Sequence, residues 1–137
     1  MGELTTMKEK HMSFGEYIKK KRLADPRKLT LQDIAEHLGI SISYASAVEN
    51  HTKHPFEGEL IKRLATFLNL SEEETTLMYD IAGREIHSVP YDIEDIFAHE
   101  TIGELARYAI RLSQAGVILE EDWKTFIRQM EERRGGG

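Results

Sequence analysis

Apolar residues recur at helical spacing along most of this chain, and the breaks between the stripes fall at glycine, proline and small hydroxyl residues. Ser13 is placed to cap a helix from Phe14 to about Ala24, with Phe14, Tyr17, Ile18 and Leu23 on its buried side. Pro26 disfavours helix at Asp25 and ends that element in a turn, Asp25-Pro26-Arg27-Lys28. Thr30 with Asp33 caps a second helix from Leu31 to Leu38, whose inward residues are Ile34, Ala35 and Leu38. Gly39 stops it, Ile40 plugs the turn, and Ser41 caps a third helix running to Glu49 with Ala45 and Val48 inward. Pro55 and Phe56 lead into a fourth, Glu57 to Leu68, with Leu60, Ile61, Leu64, Ala65, Phe67 and Leu68 on its core side. Asn69 can end that helix and Leu70 close the core. Ser71 and Glu74 then form a capping box for a fifth helix to about Ala82, with Leu77, Met78 and Ile81 inward and Gly83 as its stop.

The pattern changes after Gly83. The stretch from Arg84 to Asp92 reads as an extended linker, because Val89-Pro90 blocks helix there. Asp92 is placed to cap a short helix through Ile93, Ile96 and Phe97. A longer helix follows to about Ala115, with Ile102, Leu105, Ala106, Ala109 and Leu112 in one stripe, and Gly116 ends it. The last helix, Glu120 to about Arg134, places Trp123, Phe126, Ile127 and Met130 at i, i+3, i+4 and i+7. Residues 1 to 11 show little periodicity and read as a flexible start, and Gly135 to Gly137 as a flexible tail. The expected fold is all-α. A five-helix domain spans residues 13–83, and a helical C-terminal region spans 84–137.

Residues 29 to 50, LTLQDIAEHLGISISYASAVEN, form a helix-turn-helix unit in which the small Ala35 lets the second helix cross close over the first. The positions Leu29, Thr30, Ile34, Ala35, Leu38, Gly39, Ile40, Ser41, Ser43, Ser46, Val48, Glu49 and Asn50 stand in the order of the XRE family. The chain resembles that family's phage-repressor and Cro-like DNA-binding domains over roughly residues 13 to 70. The resemblance implies a lambda-repressor-like domain whose third helix enters the major groove of double-stranded DNA. By its register, Ser41, Ile42, Ser43, Tyr44, Ser46 and Ala47 face the bases. Asn50, His51, Thr52 and Lys53 follow the phosphate backbone, with His54 beside them. Gln32 stands next to the place, occupied here by Leu31, where relatives carry a phosphate-anchoring glutamine. The resemblance also implies a pairing of Arg22 with Glu49, which reads as structural. It puts a glycine where His51 stands here, so the local turn is expected to differ. The second half resembles the tail of some small bacterial XRE regulators, with a VP-x-D-[IL] linker and a helix carrying D-W-x-x-F.

The reading face is chemically sparse. It lacks the Arg, Lys, Gln and Asn side chains that discriminate G or A by two hydrogen bonds. Two serines hydrogen-bond to several bases, and Ile42 and Ala47 suit a thymine methyl, so shape readout gains weight. The run Lys19 to Lys21 reads as a solvated face, and Arg27 and Lys28 as backbone contacts.

Charge divides the chain. Its net value is −6, yet residues 1 to 66 hold 11 Lys and Arg against 9 Asp and Glu, and residues 67 to 137 hold 7 against 15. Different partners are expected for the two halves. The short amphipathic helices of the second half bury their apolar faces poorly alone. A two-fold homodimer through Leu105, Ala109, Leu112, Trp123, Phe126, Ile127 and Met130 is the expected solution, with completion of the monomer core as the alternative. No cysteine is present, which excludes disulfides, thiolate zinc sites and a cysteine nucleophile and suits a reducing cytoplasm. His51 and His54 lack a carboxylate or cysteine to complete a metal set. No phosphate loop, H-E-x-x-H or nucleophile elbow occurs, so no enzyme, cofactor or metal is expected. No apolar run is long enough to span a bilayer. The reading is a sequence-specific DNA-binding regulator, a dimeric repressor or autoregulator on an inverted repeat. The alternative is a protein-interaction module on the same fold, an antitoxin or mobile-element inhibitor acting through its acidic half.

Overall fold

Four of the five helices of the first half begin where a side-chain cap puts them. In the computed structural model, which describes residues 8–136, five helices follow one another. They are α1 (Phe14–Ala24), α2 (Leu31–Leu38), α3 (Ile42–Glu49), α4 (Glu59–Phe67) and α5 (Glu72–Glu85). Ser13 Oγ accepts the Glu16 amide at 3.1 Å, and Ser41 Oγ accepts the Tyr44 amide at 3.0 Å. Thr30 with Asp33, and Ser71 with Glu74, each make both bonds of a capping box. Such caps satisfy amides that the helix itself leaves unpaired. Between α2 and α3, Gly39 takes the left-handed conformation (φ 69°), Ile40 donates to the Ala35 carbonyl, and the Ile40 side chain packs on the core. A 3-10 turn (Tyr91–Ile93) returns to pack on α5. All secondary structure among the described residues is helical.

The core of this unit is one cluster. Tyr17, Phe14, Phe56, Leu38, Ile61, Leu64, Met78, Ile81 and Val48 are fully buried in it. Helix α1 packs on both α3 and α5, and α2 packs on α3 and α4. The approach of α1 to α3 depends on Gly15. A Cβ there would lie 2.4 Å from the Glu49 carbonyl oxygen and 2.6 Å from that of Val48.

The chain divides into two compact units, residues 1–94 and 95–137. A one-turn helix α6 (Glu94–Phe97) straddles that point, and the second unit holds α7 (Ile102–Gln114) and α8 (Glu120–Gly136). Its interior is thin, and Gly103 is the buried residue within α7. Trp123 Nε1 donates to Ser113 Oγ at 2.9 Å, and Ser113 Oγ donates to the Ile118 carbonyl, tying α8 to the end of α7.

Several expectations are corrected. Leu23 is 64% exposed, since the turn at Asp25 leaves nothing to cover it. Lys21 is not on a solvated face: its ammonium lies 2.8 Å from Glu9 and 2.7 Å from Glu74. Helix α4 starts at Glu59, after Gly58, and not at Glu57. Gly83 does not stop α5, which continues to Glu85 with Ile86 as its cap. The glycine instead admits the returning chain, because a Cβ there would meet the Ser88 carbonyl oxygen at 3.0 Å and Pro90 N at 3.1 Å. The stretch from Arg84 to Asp92 is therefore folded back and not extended. Pro90, not Asp92, precedes the 3-10 turn. Of the stretch read as a flexible start, residues 1–7 lie outside the described residues, while Lys8, Glu9 and Lys10 are helical and Glu9 is buried. Helix α8 runs on through Gly136, and Gly137 lies outside the described residues.

Two outcomes follow. Gly15→Ala should destabilise the first unit by about 1–3 kcal/mol, the usual cost of overpacking, read as a lower denaturant midpoint with unchanged slope. Three carboxylates are held below their ordinary range. Asp25 is pushed down to about 2 by its hydrogen bonds from Arg27, Asp33 is lowered by the Thr30 amide, and Glu74 by Lys21 and then the Ser71 amide. A folded-state pKa below the unfolded one adds stability that is complete above the unfolded value, near ~4. It disappears as pH falls through the folded values. The melting temperature should thus hold from neutral to mildly acidic pH and then drop, and Glu74→Gln should remove part of that drop.

Candidate nucleic-acid interface

Helix α3 is fixed from behind before it presents anything outward. Ala45 and Val48 enter the core, each 1% exposed. Glu49, also buried, receives Arg22 in two-pronged fashion, Nε to Oε2 at 3.0 Å and Nη2 to Oε1 at 2.7 Å. The third guanidinium nitrogen donates to the Leu29 carbonyl at 3.0 Å. The pairing of Arg22 with Glu49 expected from the resemblance is thus present, and its partners lie within the protein. Burial opposes the charge on Arg22, but the hydrogen bonds and field of Glu49 outweigh it and raise its pKa.

The front of the helix is less uniform than its register implies. Ser41, Ile42 and Ser43 are exposed, and Ser46 and Ala47 are half-buried. Ser41 spends its hydroxyl oxygen on the Tyr44 amide. Tyr44 leans inward, its ring edge-on to Phe56 with centroids 5.5 Å apart, and it packs on the core. Asn50 Nδ2 donates to Ser46 Oγ at 3.2 Å, so those two side chains hold each other. The open base-facing set is therefore Ile42 and Ser43, flanked by Ser46 and Ala47.

The loop after α3 keeps a glycine-like shape without glycine. His51 adopts the left-handed conformation, φ 64°. Thr52 secures the turn by donating its amide and its hydroxyl to the Ala47 carbonyl, at 2.8 and 3.1 Å. His51, Thr52, Lys53, His54 and Glu85 line an open hollow of about 490 Å³. Glu85 joins the site from the end of α5. One of its carboxylate oxygens accepts the Phe14 amide, and the other lies 3.8 Å from His51 Nδ1. Sequence reasoning had no route to Glu85, which stands 71 residues from Phe14.

Of the flanking cations, Arg27 is engaged. It binds the Asp25 carboxylate, donates to the Phe67 carbonyl and lies 5.0 Å from the Phe67 ring centroid. Arg63 is turned onto the His37 carbonyl at 2.6 Å. Gln32 is exposed but donates to Glu36 at 3.1 Å, a bond it would exchange to reach a phosphate. Lys28 and Lys53 are exposed and make no ion pair with the described residues. Among the described residues no group of three or more His, Cys, Asp or Glu is arranged to hold a metal, and no helix is long and apolar enough to cross a membrane.

The residues named for dimerisation lie on α7 and α8. Leu105, Phe126 and Ile127 are 63%, 54% and 52% exposed, while Ala109, Leu112, Trp123 and Met130 are half-buried.

This geometry agrees with the comparison to known families. Residues 18–74 match the family model described as helix-turn-helix. Over those residues the first unit carries a helix-turn-helix domain of the XRE type, which supports a DNA-binding transcriptional regulator. No curated protein and no solved structure matches the chain significantly.

The strained histidine yields a test. A β-branched residue is poorly tolerated at positive φ, and glycine is free of that cost. His51→Gly should keep or raise stability, by up to about 1 kcal/mol, whereas His51→Val should lower it by a similar amount. Thermal unfolding of the two variants beside the parent checks both signs.

Proposed function

We propose that the chain is a dimeric repressor or autoregulator that binds an inverted repeat of double-stranded DNA in the cytoplasm. The observation that carries the reading is the seating of α3. Gly15, Arg22 and Glu49 lock its back, while Ile42 and Ser43 stand open at its N-terminal end, where helices of this type meet base edges. In this reading Ser43, Ser46, Ile42 and Ala47 supply what direct base contact exists. Lys53, His51, Thr52 and Asn50 lie along the backbone, with Gln32 as a further anchor. Ser41 acts through its cap, and Tyr44 through its packing on Phe56. With few polar readers, selectivity leans on thymine methyl contacts and on groove shape. The exposed apolar residues of α7 and α8 favour a second copy as their cover. A two-fold pair would present two α3 helices roughly 34 Å apart, one turn of DNA.

A second reading rests on the same exposed residues. Leu105, Phe126 and Ile127 sit in the acidic half of the chain, which also suits a basic protein partner. In that case the regulator works through a complex.

Titrating the purified protein against its own upstream DNA and a scrambled duplex over a range of salt tests the proposal. The expected result is selective binding with a steep salt slope. Lys53→Glu should flatten that slope by about one and weaken both duplexes alike, as loss of one phosphate contact does. Ser43→Glu should abolish selective binding. Paired Leu105→Asp and Phe126→Asp changes should halve the mass in sedimentation. Unselective binding at low salt, or a monomeric parent, would overturn the corresponding part.

A further inference from the structure

The first unit carries a groove of about 450 Å³ that DNA recognition does not use. It lies between the entry to α4, the middle of α5 and the returning chain. Phe56, Tyr79 and Tyr91 are its aromatic lining, Ile86 adds apolar surface, and the exposed Glu57 and Glu94 are its acidic residues. The groove has the size of a small-molecule site. Its lining holds no Lys, Arg or His. Tyr79 and Tyr91 lie nearly parallel, with ring centroids 6.2 Å apart and 24° between their planes. Tyr79 is buried and Tyr91 is 39% exposed at the mouth. Gly83 is part of the construction, because it lets the returning backbone close on α5. Burial raises the Tyr79 hydroxyl above its ordinary range, and Asp92, Tyr91 and Glu59 add to the shift.

We propose that this groove binds a small organic cation, an ammonium or amidinium group on an aromatic or aliphatic body, and that Phe56 transmits its occupancy to α3. The body lies on the tyrosine faces and the charge meets Glu57 and Glu94. Electron-rich rings and carboxylates both favour a cation, and the same groups repel an anion of equal shape. Phe56 is 1% exposed. It borders the groove, and its ring also meets Tyr44 at 5.5 Å and Phe14 at 6.0 Å, edge to face. A shift of this ring therefore reaches the helix that carries Ser43, because a close-packed interior has no slack to absorb it.

Phenethylammonium, phenylacetate and 2-phenylethanol share a ring and chain and differ in charge. They would be titrated into the full-length protein and followed by NMR. The expected result is saturable shifts at Gly58, Tyr79 and Tyr91 with the cation only, together with movement of the Tyr44 ring signals. Combined Tyr91→Ala and Glu94→Gln changes, at exposed positions, should weaken the cation by roughly tenfold, with spectra elsewhere unchanged. Equal shifts from all three probes, absence of saturation with the cation into the millimolar range, or undiminished binding by the double variant would overturn the site. Saturation with Tyr44 unmoved would overturn the coupling through Phe56. These readouts need no DNA, so they stand or fall apart from the regulatory reading.

Discussion

The ion pair of Arg22 with the buried Glu49 is the constraint on which the candidate DNA-facing surface depends. Its two nitrogen-oxygen bonds and the third bond to the Leu29 carbonyl join α1, the entry to α2 and the last residue of α3. A desolvated ion pair is a poor source of net stability, because the cost of removing both charges from water offsets most of their attraction. Its effect here is geometric. A planar guanidinium bonded at three points fixes direction as well as distance, which a lysine in the same place could not do. Gly15 completes the arrangement by letting the α1 backbone touch the Glu49 carbonyl. The position of the loop from Asn50 to His54 is set by this contact, since it begins where Glu49 ends.

Two further devices extend the same logic. The aromatic side chains Phe14, Phe56 and Tyr44 meet edge to face in sequence, so the start of α1, the entry to α4 and α3 share one seam. Lys21 draws Glu9 and Glu74 together while Tyr17 donates to the Glu74 carbonyl at 2.8 Å, which ties α1 to the start of α5. Polar groups in this unit are used as fasteners between helices, and hydrophobic burial fills the space they define. The second unit has no comparable interior. Its largest apolar side chains are mostly half or more exposed, and the bond of Trp123 to Ser113 is a local tie between neighbouring helices.

Much of the first unit was legible because its signals are local. Ser13, Thr30, Ser41 and Ser71 lie within three residues of the amides they cap, and Gly39 stops α2 through its own backbone angle. The core faces of α2 and α4 follow from spacing alone. What escaped was set by distant chain. Leu23 looks like a core residue on its own helix, but no later segment covers it. Lys21 looks like one of a solvated run until Glu74 arrives beside it. Gly83 carries the usual mark of a helix end, yet its lack of a side chain serves the backbone at Ser88 and Pro90. For the candidate interface, register marked Ile42 and Ser43 as outward. The inward lean of Tyr44 depends on Phe56, and the place of Glu85 depends on Phe14. Neither partner is near in sequence.

The bond from the Phe14 amide to Glu85 has a consequence for the order in which this protein becomes competent during synthesis. It joins residues 71 positions apart, and the contacts of Tyr17 and Lys21 with Glu74 span 57 and 53. Helix α1 therefore receives its second set of contacts only when α5 is made. Until the ribosome has released Glu85, the first helix lacks its N-terminal partner and the loop at His51 lacks its floor. At ~5–20 residues per second, a few seconds of synthesis separate the Arg22–Glu49 pairing, complete in sequence at Glu49, from this second attachment of α1. A chain truncated before α5 would keep the Arg22–Glu49 pairing but lose the hold of Glu74 and Glu85 on α1.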